Sequence, residues 1–167
     1  MKHLYLVRHA KSSWDNPSHS DFERPLNKRG LRDAPFMAKL LNEKIKKTDL
    51  FVSSPALRAI STAHEFASVF DFKNSEILRD ERIYEASLSD LYSVVKELSD
   101  NYKSTVLFGH NPTISMFADN LTKEFRWNMP TCGIVGIELW SESWAEISKD
   151  IGKVMFFEYP KKYFDKD

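Results

Sequence analysis

Two histidines and two arginines carry the strongest chemical signal in the chain. Arg8-His9-Ala10 follows directly on the apolar run Leu4-Tyr5-Leu6-Val7, and His110-Asn111-Pro112 follows Thr105-Val106-Leu107-Phe108-Gly109. Between them, Leu50-Phe51-Val52 leads into Ser53-Ser54-Pro55, with Arg58 one helical turn further on. Short β-branched and aromatic runs that end in charge read as buried strands delivering side chains at their carboxyl ends. That is the edge where open α/β sheets bind ligands. A guanidinium is a planar fork suited to phosphoryl oxygens, and an imidazole can serve as base or nucleophile. Three strand ends therefore offer His9, His110, Arg8 and Arg58 to one rim, a set suited to a tetrahedral oxyanion.

Rival chemistries fit this set less well. A metal centre built from His9, His110 and a carboxylate would place a divalent cation beside two arginines. The two helix N-termini expected at Ser54-Pro55 and Asn111-Pro112 also favour negative charge. No metal and no cofactor is therefore expected. An imidazole in such a pocket can take a phosphoryl group covalently and split hydrolysis into two steps. The leaving group then needs a proton, and Glu85, in the aperiodic stretch Ile83-Tyr84-Glu85-Ala86-Ser87, is the first candidate acid, with Asp80 and Glu81 as solvated neighbours or substitutes. Lys11 is expected to help recruit substrate. Asn111 is read as a helix cap first and a backbone N–H ligand for phosphate second. His3, His19 and His64 read as incidental, and Trp14, Trp127, Trp140 and Trp144 as packing. Cys132, between Thr131 and Gly133, reads as part of a structural turn.

These residues need a scaffold, and the pattern supplies an alternation of strands and helices, hence an α/β layer fold. Strands are expected near residues 3–8, 49–53 and 104–109. A polar connection containing Pro17, Pro25 and Gly30 follows the first strand and is long enough to suggest a functional loop. Leu31, Ala34, Ala38, Leu41 and Ile45 step at helical spacing, with Pro35 marking a start or a bend. Ser54 and Pro55 are expected as cap and first turn of a helix buried along Ala56, Ile60, Ala63, Ala67 and Phe70. Leu88, Leu91, Val94 or Val95, and Leu98 mark a third helix. Asn111, as cap, opens a fourth that buries Ile114, Phe117 and Leu121. Residues 134–140 and 153–159 are strand-like and separated by a polar turn, so an antiparallel edge is expected.

The 167 residues suit a single domain over 1–160, with Lys161, Lys162 and Lys166 in a solvated tail over 161–167. A domain of this length buries about 70% of its unfolded surface. Lys plus Arg balances Asp plus Glu, 24 against 24, so overall charge draws the chain to neither nucleic acid nor membrane. The single cysteine excludes an internal disulfide. The apolar run before Arg8 is too short for a signal peptide or a membrane span. A reducing cytoplasm is the expected location.

Four separated stretches resemble the histidine phosphatase superfamily. They are Leu6-Val7-Arg8-His9-Ala10, Ser53-Ser54-Pro55 with Arg58, Leu78 to Glu85, and Gly109-His110-Asn111-Pro112. Together with Arg24-Pro25-Leu26-Asn27-Lys28-Arg29-Gly30, they look most like its SixA-type branch, the phosphohistidine phosphatases. The resemblance spans about residues 3–159. It implies a three-layer α/β/α sandwich around a mostly parallel sheet and metal-independent chemistry. His9 is implied as the phosphorylated nucleophile, Arg8, Arg58 and His110 as the phosphate pocket, and Glu85 as the proton donor. Ala10 stands where the family usually has glycine. The expected substrate is phosphohistidine in a protein. Hydrolysis of small phosphomonoesters at the same site, or binding of a phospho-group without turnover, are the alternatives. A mutase is disfavoured, because so short a chain has little sequence to spare for a lid.

Overall fold

The computed structural model describes residues 1–164. Its six strands form one sheet in the order β3-β2-β4-β1-β5-β6. These are β1 (Lys2–Arg8), β2 (Leu50–Ser53), β3 (Leu78–Arg79), β4 (Ser104–Gly109), β5 (Ile134–Leu139) and β6 (Gly152–Glu158). The first four run parallel, and β5 and β6 add an antiparallel edge beyond β1. Alternate side chains of each strand feed two cores. Leu4, Leu6, Val52 and Leu107 face α3 (Leu88–Lys96) and α4 (Thr113–Thr122), whereas Tyr5, Val7, Phe51 and Phe108 face α1 (Lys28–Ile45) and α2 (Leu57–Val69). The result is a three-layer α/β/α sandwich.

The strand order decides where the site lies. The connection leaving β1 passes through α1 on one face, and the connection leaving β4 passes through α4 on the other. A crevice therefore opens between the carboxyl ends of these adjacent strands, the switch point at which such sheets bind ligands. The register pairs Arg8 with Gly109 and Ser53 with Phe108, so His9, His110 and Ser54 emerge side by side. Backbone bonds from His9 N–H to the Gly109 carbonyl (3.1 Å) and from Ser54 N–H to the Phe108 carbonyl (3.0 Å) continue the ladder past the strands.

Several local expectations need correction. Helix α1 begins at Lys28, well before Pro35, because the Asn27 side chain accepts from Gly30 N–H at 2.9 Å and caps it. Leu31 is 59% exposed, and Met37 joins Ala34, Ala38 and Leu41 on the buried face instead. Helix α2 starts at Leu57 with Ala56 in the cap position, two residues later than Ser54-Pro55 suggests. Helix α4 has Pro112, not Asn111, in its N-cap position, and no side chain caps it. In the segment expected as a solvated tail, Lys161 and Lys162 are exposed, and neighbouring residues contact the domain. Pro160–Lys162 form a one-turn 3-10 helix, Lys162 pairs with Glu158 at 3.1 Å, and Phe164 packs edge-on against Phe36. Lys166 lies outside the described residues.

Candidate active site

His9 leaves the end of β1 and is 7% exposed. Its backbone is fixed from behind, where Cys132 N–H donates to the carbonyls of Arg8 and His9, each at 3.0 Å. Cys132 holds a left-handed conformation (φ 61°) and is fully buried, and burial pushes its thiol well up, as befits a turn residue. Ala10 is also fully buried, and its N–H donates to the Thr62 hydroxyl at 3.0 Å. The methyl that distinguishes it from glycine therefore sits in the core.

The His9 ring makes one protein hydrogen bond, from Nδ1 to the Ala10 carbonyl at 2.7 Å. A carbonyl only accepts, so Nδ1 carries the hydrogen and Nε2 keeps its lone pair. Burial lowers the His9 pKa to about 3, aided by His110, Arg58 and Arg8 and opposed by the Ala10 carbonyl. Burial, and then Arg58, takes His110 down to about 4. Both rings are therefore neutral at physiological pH. They lie 5.2 Å apart between centroids. Ser54 Oγ sits 2.8 Å from His110 Nε2 and also accepts from Ala56 N–H. Ser54 thus bridges the His110 ring and the backbone just ahead of α2.

Around these rings a cavity of about 220 Å³ is lined by Arg8, His9, Lys11, Ser12, Trp14, Arg24, Arg58, His110, Asn111 and Thr131. The four residues singled out first are thus brought together, and Lys11 and Asn111 join them. Asn111 does so as a brace. Its Nδ2 donates to the Met129 carbonyl at 3.0 Å, and its Oδ1 accepts from the Ser115 hydroxyl at 2.6 Å. Arg8 Nη1 donates to the same Met129 carbonyl at 2.9 Å. Arg8 Nε, Arg58 Nε and His110 Nδ1 are buried with no partner among the described residues.

Three further residues complete the site. Arg24 is 7% exposed and lines the cavity. Its Nη1 donates to Ser12 Oγ at 2.7 Å, and its Nε and Nη2 donate to Asp21 Oδ1 at 3.2 and 3.1 Å. Asp21 also accepts from Arg58, through its carbonyl at 2.6 Å and its Oδ2 at 3.1 Å, and from the Tyr84 hydroxyl at 2.6 Å. The Tyr84 hydrogen bond, and then Arg58, hold the Asp21 carboxyl down to about 2. Asp21 therefore stands behind the two arginines as their shared anchor and stays ionised. The long polar connection after β1 was the available signal. Arg24 belongs to a stretch that carries the family resemblance, but sequence spacing does not reveal that the loop folds back on Arg58. Gly30 allows this return, since a Cβ there would stand 2.2 Å from the Lys11 carbonyl oxygen.

Glu85 is placed differently. It is exposed, holds a left-handed conformation (φ 54°), and borders a neighbouring cavity of about 190 Å³ with Ile83, Ala86, Leu91, Pro112 and Thr113. His110 and Asn111 line both cavities, but His9 lines only the first. Asp80 is occupied by Arg82 at 2.7 Å, and Glu81 is exposed. The packing role expected of the tryptophans holds for Trp144, which is fully buried. Trp14, Trp127 and Trp140 are exposed by 72%, 61% and 52%.

No carboxylate lines the His9 cavity among the described residues, and three guanidinium groups do. The residue types of such a pocket suit a phosphoryl group, because guanidinium forks match its oxygens. Comparison with known proteins agrees. The chain belongs to the histidine phosphatase superfamily (branch 1), whose family model matches residues 4–106, and it is a phosphatase. An uncharacterised protein of Mycobacterium leprae is 26% identical, the match covering 93% of this chain and all of the relative. A structure from Agrobacterium tumefaciens described as a phosphohistidine phosphatase SixA superimposes with a TM-score of 0.81 at 25% identity, over 95% of this chain and 98% of the other. The protein histidine phosphatase SixA complexed with tungstate shares the fold, with a TM-score of 0.78 at 19% identity, over 93% and 95% of the two chains. Among the described residues, no helix is long and apolar enough to cross a membrane.

Proposed function

We propose that this phosphatase hydrolyses phosphohistidine in proteins of the cytoplasm, through a covalent phosphoryl intermediate on His9 and without a metal ion. His9 Nε2 attacks phosphorus as the bond to the substrate imidazole breaks. The departing imidazole takes a proton from solvent. Water then attacks phosphorus and breaks the new phosphorus–nitrogen bond, releasing phosphate and returning His9 with Nε2 unprotonated. Arg8, Arg24 and Arg58 hold the phosphoryl oxygens, with Lys11 at the approach. The buried donors Arg8 Nε and Arg58 Nε support an anionic occupant, because a buried donor is costly until it meets an acceptor.

The observation that carries this reading is a neutral His9 whose Nδ1–H is engaged by Ala10, inside a pocket lined by arginines and by no carboxylate. It also favours a phosphorus–nitrogen bond over an alkyl ester. An alkoxide needs a well-placed acid, worth about 10²–10⁴-fold in rate. Asp21 is too acidic to serve, and Glu85 borders the neighbouring cavity. A departing imidazole is a far weaker base and needs less help. The second reading, hydrolysis of small phosphomonoesters, draws on that neighbouring cavity, where Glu85 and His110 flank room for a leaving group.

Turnover of a phosphohistidine protein and of a panel of alkyl phosphates, measured in excess chelator, separates these readings. The proposal expects kcat/KM to favour phosphohistidine, activity to survive the chelator, and Glu85→Gln to slow alkyl phosphates more than phosphohistidine. A preference for an alkyl phosphate, or chelator inactivation reversed by one divalent ion, contradicts it.

A further inference from the structure

Trp14 has no place in the chemistry described so far, yet it borders the His9 cavity. It is the one large apolar surface among lining residues that are otherwise basic, imidazole, hydroxyl or amide groups. Core packing does not account for it, since the residue is 72% exposed. One indole face is covered by Arg24, whose guanidinium carbon lies 3.5 Å from the ring centroid. With 72% of the residue exposed, most of the rest of the ring surface is open.

The platform is also held in place. Arg24 is fixed by Ser12 and by Asp21, and Ser13 N–H donates to the Pro25 carbonyl at 2.8 Å on the other side of the loop. Ser12 and Leu26 form a bridge that closes the same loop. Phosphoryl oxygens gain nothing from an indole face, whereas a flat ring does. Aromatic pairs contribute about 0.5–1.5 kcal/mol beyond the area they bury.

We propose that Trp14 is a specificity-determining wall against which the leaving group stacks, so that the enzyme selects phosphoryl groups carried on a planar ring. This deepens the reading above, because the imidazole of phosphohistidine is such a ring. It does not require that the ring belong to histidine.

Trp14→Ala and Trp14→Phe, each normalised to wild type, test it with phenyl phosphate, glycerol phosphate and a phosphohistidine protein as substrates. Inorganic vanadate serves as a ligand with no leaving group. Trp14→Ala should lose roughly 3- to 10-fold in kcat/KM on the ring-bearing substrates. It should change less than about twofold on glycerol phosphate and in the vanadate inhibition constant, and Trp14→Phe should recover most of the loss. Equal losses on phenyl and glycerol phosphate, or a matching weakening of vanadate, would show that Trp14 serves only to seat Arg24 and would overturn the proposal. So would no loss on any substrate. A selective loss on phenyl phosphate in an enzyme that ignores phosphohistidine would uphold the wall and remove the phosphohistidine reading.

Discussion

Arg8, His9 and His110 stand at or just past strands whose inner residues are fully buried, whereas Asp21, Arg24 and Trp14 hang on the irregular connection between β1 and α1. The first group is positioned by sheet register, which pairs Arg8 with Gly109 and so fixes both imidazoles. The second is positioned by side-chain hydrogen bonds that converge on one carboxylate. On the proposed mechanism the strand ends and Arg58 form a floor that carries the chemistry. The loop forms a rim that adds Arg24 to the phosphate pocket and Trp14 beside the leaving group. The floor would serve any phosphoryl substrate, and the proposed wall at Trp14 assigns the choice of leaving group to the rim.

The largest effect should come from the floor. Arg58→Ala removes a buried fork and leaves Asp21 without its main cationic partner, and kcat should fall about 10²–10³-fold. Arg58→Lys should recover little, because an ammonium cannot serve Asp21 and the phosphoryl oxygens together. Parallel vanadate inhibition would show whether the loss lies in oxyanion binding. Near-normal vanadate affinity in Arg58→Ala would place Arg58 outside the pocket chemistry and erase the distinction between floor and rim.

A smaller loss is expected at the joint between the two. Asp21→Asn keeps the size and an acceptor oxygen but removes the charge that anchors Arg24, Arg58 and Tyr84. Vanadate should bind several-fold more weakly, in the range of one or two charge-assisted hydrogen bonds, with folding retained. Tyr84, whose hydroxyl the Asp21 bond pushes up to about 12, should titrate lower in the variant, a spectroscopic change that a purely steric role would not produce. Tighter vanadate binding in Asp21→Asn would instead mean that Asp21 competes with phosphate for Arg58.

The last effect lies outside catalysis and is read as the pH dependence of stability. His9 and His110 have folded pKa values near 3 and 4, below the ordinary 6.5 of an unfolded chain. Below pH 6.5 the unfolded state binds more protons, so stability is full above that pH and declines as pH falls toward 4. Each ring contributes a slope of roughly 1 kcal/mol per pH unit. Denaturant unfolding of His9→Gln should show a shallower acid decline than wild type. An unchanged slope would mean that His9 is not held neutral by its surroundings.

The sequence made the floor legible for a physical reason. Strand ends that carry function break an apolar run with a charged or imidazole side chain, and Val7-Arg8-His9 and Phe108-Gly109-His110 both do. Alternating elements gave the layers, and the antiparallel edge followed from two late apolar runs. Less legible were the places where a side chain serves a tertiary partner in preference to its neighbours. Ser54 bonds His110 instead of capping α2, and Asn111 ties down the Met129 carbonyl instead of capping α4. Asp21 and Trp14 were hidden because their roles depend on the loop closing over Arg58 and Arg24, a contact with no periodic signature. Leu31 satisfied the helical spacing, but the face that packs is set by Ala34, Met37 and Ala38.

Direct trapping of the phosphoenzyme tests whether His9 Nε2 receives the phosphoryl group. Enzyme mixed briefly with phosphohistidine substrate, quenched without acid and mapped by mass spectrometry should carry an acid-labile, base-stable phosphoryl group on His9. His9→Ala should fold, bind vanadate and carry none. Label on another residue, or label that persists in His9→Ala, would contradict the account.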